Sequence, residues 1–129
     1  MKNNILPAII LIIALTMSFI IGMTGMVMIK KNMFMNFEHK LDNDIKALSE
    51  SLKSYIEENS LDIRTPDVMS PENIGNTIQK IRESGREIPE LIREKRQYNY
   101  NVDSYNTLRD TFINRIISRF LNIPERRKI

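Results

Sequence analysis

The segment Ile5–Ile29, ILPAIILIIALTMSFIIGMTGMVMI, contains no charged residue. At about 1.5 Å per residue a helix of this length spans roughly 37 Å, enough to cross a hydrocarbon core of about 30 Å with some tilt. In lipid such a run must satisfy its own backbone polar groups, so it forms an α-helix. A cleaved signal peptide has a shorter apolar core, about 7–15 residues, with small residues before the cut. Here no A-x-A precedes a plausible cut, and the chain has no cysteine for a lipoprotein site. The sequence predicts an uncleaved signal anchor over 5–29, with 1–4 as its flank and 30–129 as a soluble helical domain. Pro7 falls in the expected first turn, where its missing N–H costs little. Gly22 and Gly25 lack the four-residue spacing of a GxxxG helix seam.

Basic residues set the expected orientation. Lys2 precedes the apolar run, whereas Lys30, Lys31 and Lys40 follow it. The richer side faces the cytoplasm under the positive-inside rule. The expectation is a single-pass inner-membrane protein, N-terminus out and C-terminal domain cytoplasmic.

The remainder is long enough for one small domain. Without cysteine it has neither disulfides nor thiolate metal ligands. Its one histidine, His39, stands between Glu38 and Lys40 and reads as a solvated helix residue. Charge is unevenly placed. From Asn32 to Gln79 four basic residues face nine acidic ones, a balance of −5; from Lys80 to Ile129 twelve face seven, a balance of +5. Segments of opposite sign attract when packed side by side.

Helical periodicity runs through this region. Phe34, Phe37, Leu41, Ile45, Leu48, Leu52 and Tyr55 or Ile56 recur at steps of three or four, one stripe of a helix over about 33–59. From Leu41 to Tyr55 the spacing also suits a coiled-coil seam. Ser60–Ser70, with Pro66, reads as a linker. Ser70-Pro71-Glu72 then opens a second helix, about 71–86, with a cap, a first-turn proline and an acid at the positive end of the dipole. Its stripe is Ile74, Ile78 and Ile81. Gly85 and Pro89 predict a break. A third helix is expected over 89–121, with Leu91 or Ile92, Tyr98, Val102, Tyr105, Leu108, Phe112, Ile116 and Phe120 on one side. The fold class is therefore all-α: one N-terminal transmembrane helix followed by a small antiparallel helical bundle or hairpin.

No phosphate loop, dinucleotide fingerprint, zinc-protease or nucleophile-elbow motif occurs. The sequence assigns no catalytic, cofactor-binding or metal-binding residue and no small-molecule substrate. Tyr98, Asn99, Tyr100 and Asn101 form one compact polar-aromatic cluster. Tyr98 and Tyr105 are seven apart and share a face with Val102, while Asn99 and Asn106 share the neighbouring face. Inward tyrosines with hydroxyls at the core edge, and asparagines bonded to a neighbouring helix, are the expected roles.

Tyr98-Asn99, Val102 and Tyr105-Asn106 read YN-x-x-V-x-x-YN. This resembles the last long helix of the LemA family, small bacterial proteins with an N-terminal membrane helix and a helical-bundle domain. Lys95 falls where that family usually has arginine. Asn114, Ile116, Ile117, Phe120 and Pro124 resemble the family's N-x-I-A-x-x-F-x-x-x-P ending, with one residue missing before Asn114. The basic R-x-D-L-I-P-N-L-like turn that follows the family's first helix is absent after Asn59. Arg86-Glu87-Ile88-Pro89 resembles it only faintly, so the chain looks like a truncated or divergent member. The resemblance implies a membrane-anchored helical bundle and no defined reaction.

The basic end carries the last expectation. Phe112, Ile113, Ile116, Ile117 and Phe120 form an apolar face, with Arg115, Arg119, Arg126, Arg127 and Lys128 as candidate contacts to an anionic membrane surface. The helix is expected to close the bundle, and 125–128 to be a solvated tail resting on the leaflet. No nucleic-acid partner is expected. Together these features predict a non-enzymatic, membrane-anchored scaffold or interaction module of the bacterial cell envelope. Its partners would be membrane lipid and a protein, or a second copy, held through the helix stripes. The alternative is a phage-type inner-membrane spanin or other coiled-coil envelope lysis factor.

Overall fold

The computed structural model describes residues 2–65 and 70–129. Met1 of the expected flank and Pro66 of the expected linker lie outside the described residues. Those residues form four helices and no strand: α1 (Lys2–Glu58), α2 (Pro71–Glu83), α3 (Pro89–Arg109) and α4 (Phe112–Phe120). The chain divides into two units, Met1–Met35 and Asn36–Ile129.

The first unit is helix alone. Its apolar segment is long and apolar enough to cross a membrane, and none of it is buried. Leu15 and Ile21 are both more than 60% exposed. The Thr16 hydroxyl donates to the Ile12 carbonyl at 2.8 Å, so this polar group is satisfied within the helix, as a lipid environment requires. Two expectations change. The apolar run and the following stripe belong to one uninterrupted helix, because Lys30-Lys31-Asn32 includes neither glycine nor proline. Pro7 lies inside α1 rather than in its first turn, because the helix begins before the apolar run.

In the second unit the stripe of α1 turns inward from Leu41 onward. Leu48, Leu52 and Ile56 form one cluster with Ile74, Ile78 and Ile81 of α2 and with Ile88 and Leu91. Full burial of each such side chain contributes roughly 1.5–3 kcal/mol. The seam that would suit a coiled coil is therefore covered within the chain. Farther along, Leu41, Tyr98, Val102 and Tyr105 are buried as well. Asn101 reaches Asp44 at 3.3 Å and Tyr105 reaches Glu38 at 2.9 Å, so numbers rise along α3 as they fall along α1.

Local chemistry ends each helix. Ser60 takes φ 49°, and the Leu61 N–H reaches back to the Ile56 carbonyl at 3.0 Å. This six-to-one closure stops α1. Ser70 caps α2 as expected, its side chain accepting from the Asn73 N–H at 3.2 Å. α2 ends at Glu83, short of the expected 86, because Gly85 adopts φ 84° and its N–H turns back to Arg82.

The expected third helix over 89–121 is two helices. Thr111 is extended, with φ −64° and ψ 149°, and stands at the N-cap position of α4, its hydroxyl donating to the Leu108 carbonyl at 2.9 Å. The Asn114 side chain donates to the Leu108 carbonyl at 3.0 Å across the break. Asn122, at φ 54°, closes α4 by the same six-to-one bond, Ile123 N–H to Ser118 carbonyl at 2.8 Å. Asparagine tolerates this left-handed conformation better than most residues.

Candidate functional site

The two YN pairs of α3 hold the end of the chain by its backbone. Asn106 Nδ2 donates to the Arg126 carbonyl at 2.9 Å, and its Oδ1 accepts from the Arg126 N–H at 3.0 Å. Asn99 repeats the arrangement on Ile129, at 3.1 Å and 2.7 Å. The geometry follows from two repeats. Seven residues of α-helix advance about 10.5 Å, and three residues of nearly extended chain span about 10 Å. Asparagines at that helical spacing therefore read the same edge of an extended segment three residues apart. Arg109 Nε adds a bond to the Ile123 carbonyl at 2.8 Å, and the Tyr105 hydroxyl one to Pro124 at 3.3 Å. All these bonds go to main-chain atoms, so the clamp recognises backbone more than side-chain identity.

Tail side chains add a second layer. Arg126 pairs with Asp42 of α1, and Lys128 lies 3.2 Å from Asp103 of α3. Ile129 packs against the core cluster, and a methyl group added at Gly75 of α2 would lie 3.5 Å from its side chain. Tyr98 and Tyr105 are buried, as expected, whereas Tyr100 is exposed. Burial pushes both phenols above their usual range, and the Glu38 carboxylate, which accepts the Tyr105 hydroxyl, pushes that one farther. Phe37 packs on the Tyr105 ring, centroids 5.3 Å apart.

Three expectations are revised. Asn99 and Asn106 bond an extended tail, not a neighbouring helix, whereas Asn101 does bond a neighbouring helix, through Asp44 of α1. Residues 125–128 are not simply a solvated tail: Arg126 is half-buried and paired, although Arg127 is exposed. The helix expected to close the bundle instead turns most of its apolar side outward. Phe112 is 80% and Phe120 76% exposed, and Ile113 and Ile116 are also exposed. Only Asn114, Ile117 and Ser118 of α4 are buried. Arg115 and Arg119 are exposed. The five basic candidates thus divide, Arg115 and Arg119 beside the open face of α4, the other three on the clamped tail.

Two surface grooves flank the α2–α3 turn. One is lined by Arg82, Arg86, Arg93 and Arg96 around Ile88, Pro89 and Ile92. The other collects Glu50, Glu58, Glu87, Glu90 and Glu94. Composition halves of opposite sign show that both charges exist but not that they gather at one end of the unit. Among the described residues no group of three or more acidic or histidine side chains could hold a metal ion, and His39 is exposed. What the arrangement supplies is surface for binding: a backbone clamp, two charged grooves and an open apolar helix face. No family model, curated protein or solved structure matches the chain.

Proposed function

We propose that the chain is a membrane-anchored helical scaffold or protein-interaction module of the bacterial cell envelope, without catalytic activity. The observation that carries this reading is α1. One helix joins a charge-free apolar segment, none of it buried, to a unit with its own buried core. Exposed apolar surface of that extent is costly in water and at rest in lipid. Ile5–Ile29 is the signal anchor, and α1, α2 and α3 after Asn36 make a small antiparallel bundle on the cytoplasmic side, as Lys30 and Lys31 direct. The YN pattern keeps its LemA-like character as a structural device that fastens the tail. The charged grooves suit a protein partner.

The spanin-like alternative needs the α1 stripe free for a coiled coil and the unit outside the cell. Burial of Leu48, Leu52 and Ile56 beneath α2 and α3 favours the scaffold. Topology decides between them. The chain has no cysteine, so Glu87→Cys gives a unique label site at an exposed position. Reaction with a membrane-impermeant maleimide only after the inner membrane is permeabilised is expected. Labelling in spheroplasts with an intact inner membrane would favour the alternative.

A further inference from the structure

We propose that α4 lies in the bilayer interface, with Phe112, Ile113, Ile116 and Phe120 among the upper acyl chains and Arg115 and Arg119 at anionic headgroups. This rests on the reading of Ile5–Ile29 as a membrane span and assigns the folded unit a second, in-plane contact.

The face itself is the first observation. At about 100° per residue the four exposed apolar side chains fall within one arc of about 100°. The buried Asn114, Ile117 and Ser118 occupy the far side. Scattered exposed apolar residues are ordinary, but a contiguous face carrying two phenylalanines more than three-quarters exposed marks an interaction surface. The alternation of an apolar arc with basic residues beside it is the pattern of helices that lie in the headgroup region.

Charge selects the occupant. Arg115 and Arg119 border the arc, and no acidic residue occurs from Phe112 to Asn122. Neither arginine makes an ion pair among the described residues. Long arginine side chains beside an apolar face can reach headgroup phosphates while the face enters the acyl region. A second copy fits less well: two α4 helices paired face to face would gather four arginines and no carboxylate.

Placement within the folded unit agrees. The chain leaves α3 at Asp110 and returns to its end at Ile123, whose carbonyl accepts from Arg109 at 2.8 Å. α4 is thus an excursion at the C-terminal end of α3. Tyr105, one turn earlier, touches Phe37 and Glu38. That end of the unit is the one at which α1 enters it. Asn36, the first residue of the unit, follows Lys31 by five residues in the sequence.

The chain has no tryptophan, so one substitution gives one fluorophore. Phe112→Trp and Phe120→Trp are reconstituted separately in vesicles containing anionic lipid, with quenchers attached at shallow or deep acyl positions. Leu15→Trp reports the span and Glu87→Trp an exposed site elsewhere. Both α4 probes should be blue-shifted relative to Glu87→Trp and quenched more by the shallow label than the deep one. Leu15→Trp should show the reverse depth preference. Replacing Arg115 and Arg119 with Gln should lower the ratio of docked to undocked helix about fivefold for each arginine removed, as should, in direction, neutral lipid. Quenching of the α4 probes by aqueous iodide as strong as at Glu87→Trp, without lipid quenching, would overturn the proposal. Shielding from both lipid and iodide that is lost on dilution into more lipid would also overturn it, in favour of a second copy. A Leu15→Trp probe untouched by any lipid label would overturn the anchor itself, whatever the α4 probes report.

Discussion

Asn106→Ala should loosen the whole tail, not one residue of it. The side chain makes two bonds to Arg126, at 2.9 Å and 3.0 Å. Each bond is worth about 0.5–1.5 kcal/mol net, so their loss should cost about 1–3 kcal/mol, a roughly 5- to 150-fold rise in the population of the detached tail. Amide hydrogen exchange on the full chain in lipid nanodiscs reads this directly. The informative amide is not that of Arg126, whose partner has been removed, but that of Ile129. Its N–H is held at 2.7 Å by Asn99, which the substitution leaves untouched. If the tail comes away as a unit, Ile129 loses protection by a comparable factor, and Asn99→Ala exposes Arg126 in turn. A chain shortened to end at Asn122 supplies the control, because there Asn106→Ala should change nothing. Unaltered protection at Ile129, or an equal effect of Asn106→Ala on α3 in both chains, would show that the asparagines act on their own helix and not through the tail.

Leu48 is 2% exposed within the α1–α2–α3 cluster, so Leu48→Ala should destabilise the folded unit by about 2–5 kcal/mol, read as urea-dependent exchange of α2 and α3 amides. Leu15→Arg should oppose insertion of the apolar segment by about 2.5–3.5 kcal/mol, and carbonate extraction should then release more protein than from the unaltered chain. Gly75→Ala should stabilise α2 by up to about 1 kcal/mol in the same urea experiment, because its new methyl meets Ile129 at an ordinary 3.5 Å. The buried tyrosines give a pH dependence. Their folded-state values are raised above the usual 10.0, so in the alkaline window the folded state binds more protons than the unfolded one and stability falls as pH rises. That contribution is fully present below pH 10 and is lost as pH climbs through the folded-state values; Tyr105→Phe should flatten the profile above pH 10.

Much of the architecture is local and was open to sequence reasoning. A lipid environment would act on each residue of Ile5–Ile29 almost independently, so composition and length suffice to recognise a segment able to span. The α2 start is equally local, because Ser70 and Pro71 need only their own next residues. The stripe from Leu41 to Ile56 shows in its spacing because burial of one helix side imposes a 3.6-residue repeat. That same repeat conceals the break at Asp110 and Thr111. Leu108, Phe112, Ile116 and Phe120 continue at steps of four across it, and periodicity does not register a single extended residue. Only tertiary structure decided that Phe112, Ile116 and Phe120 leave the core while Ile117 enters it. The clamp was half legible: Asn99 and Asn106 stood out seven apart, but their partners did not. Those partners are 30 and 20 residues away in sequence, and they are backbone groups common to every extended segment. Side-chain pattern determines which helices can form; which peptide groups a half-buried asparagine meets depends on where the chain is brought back.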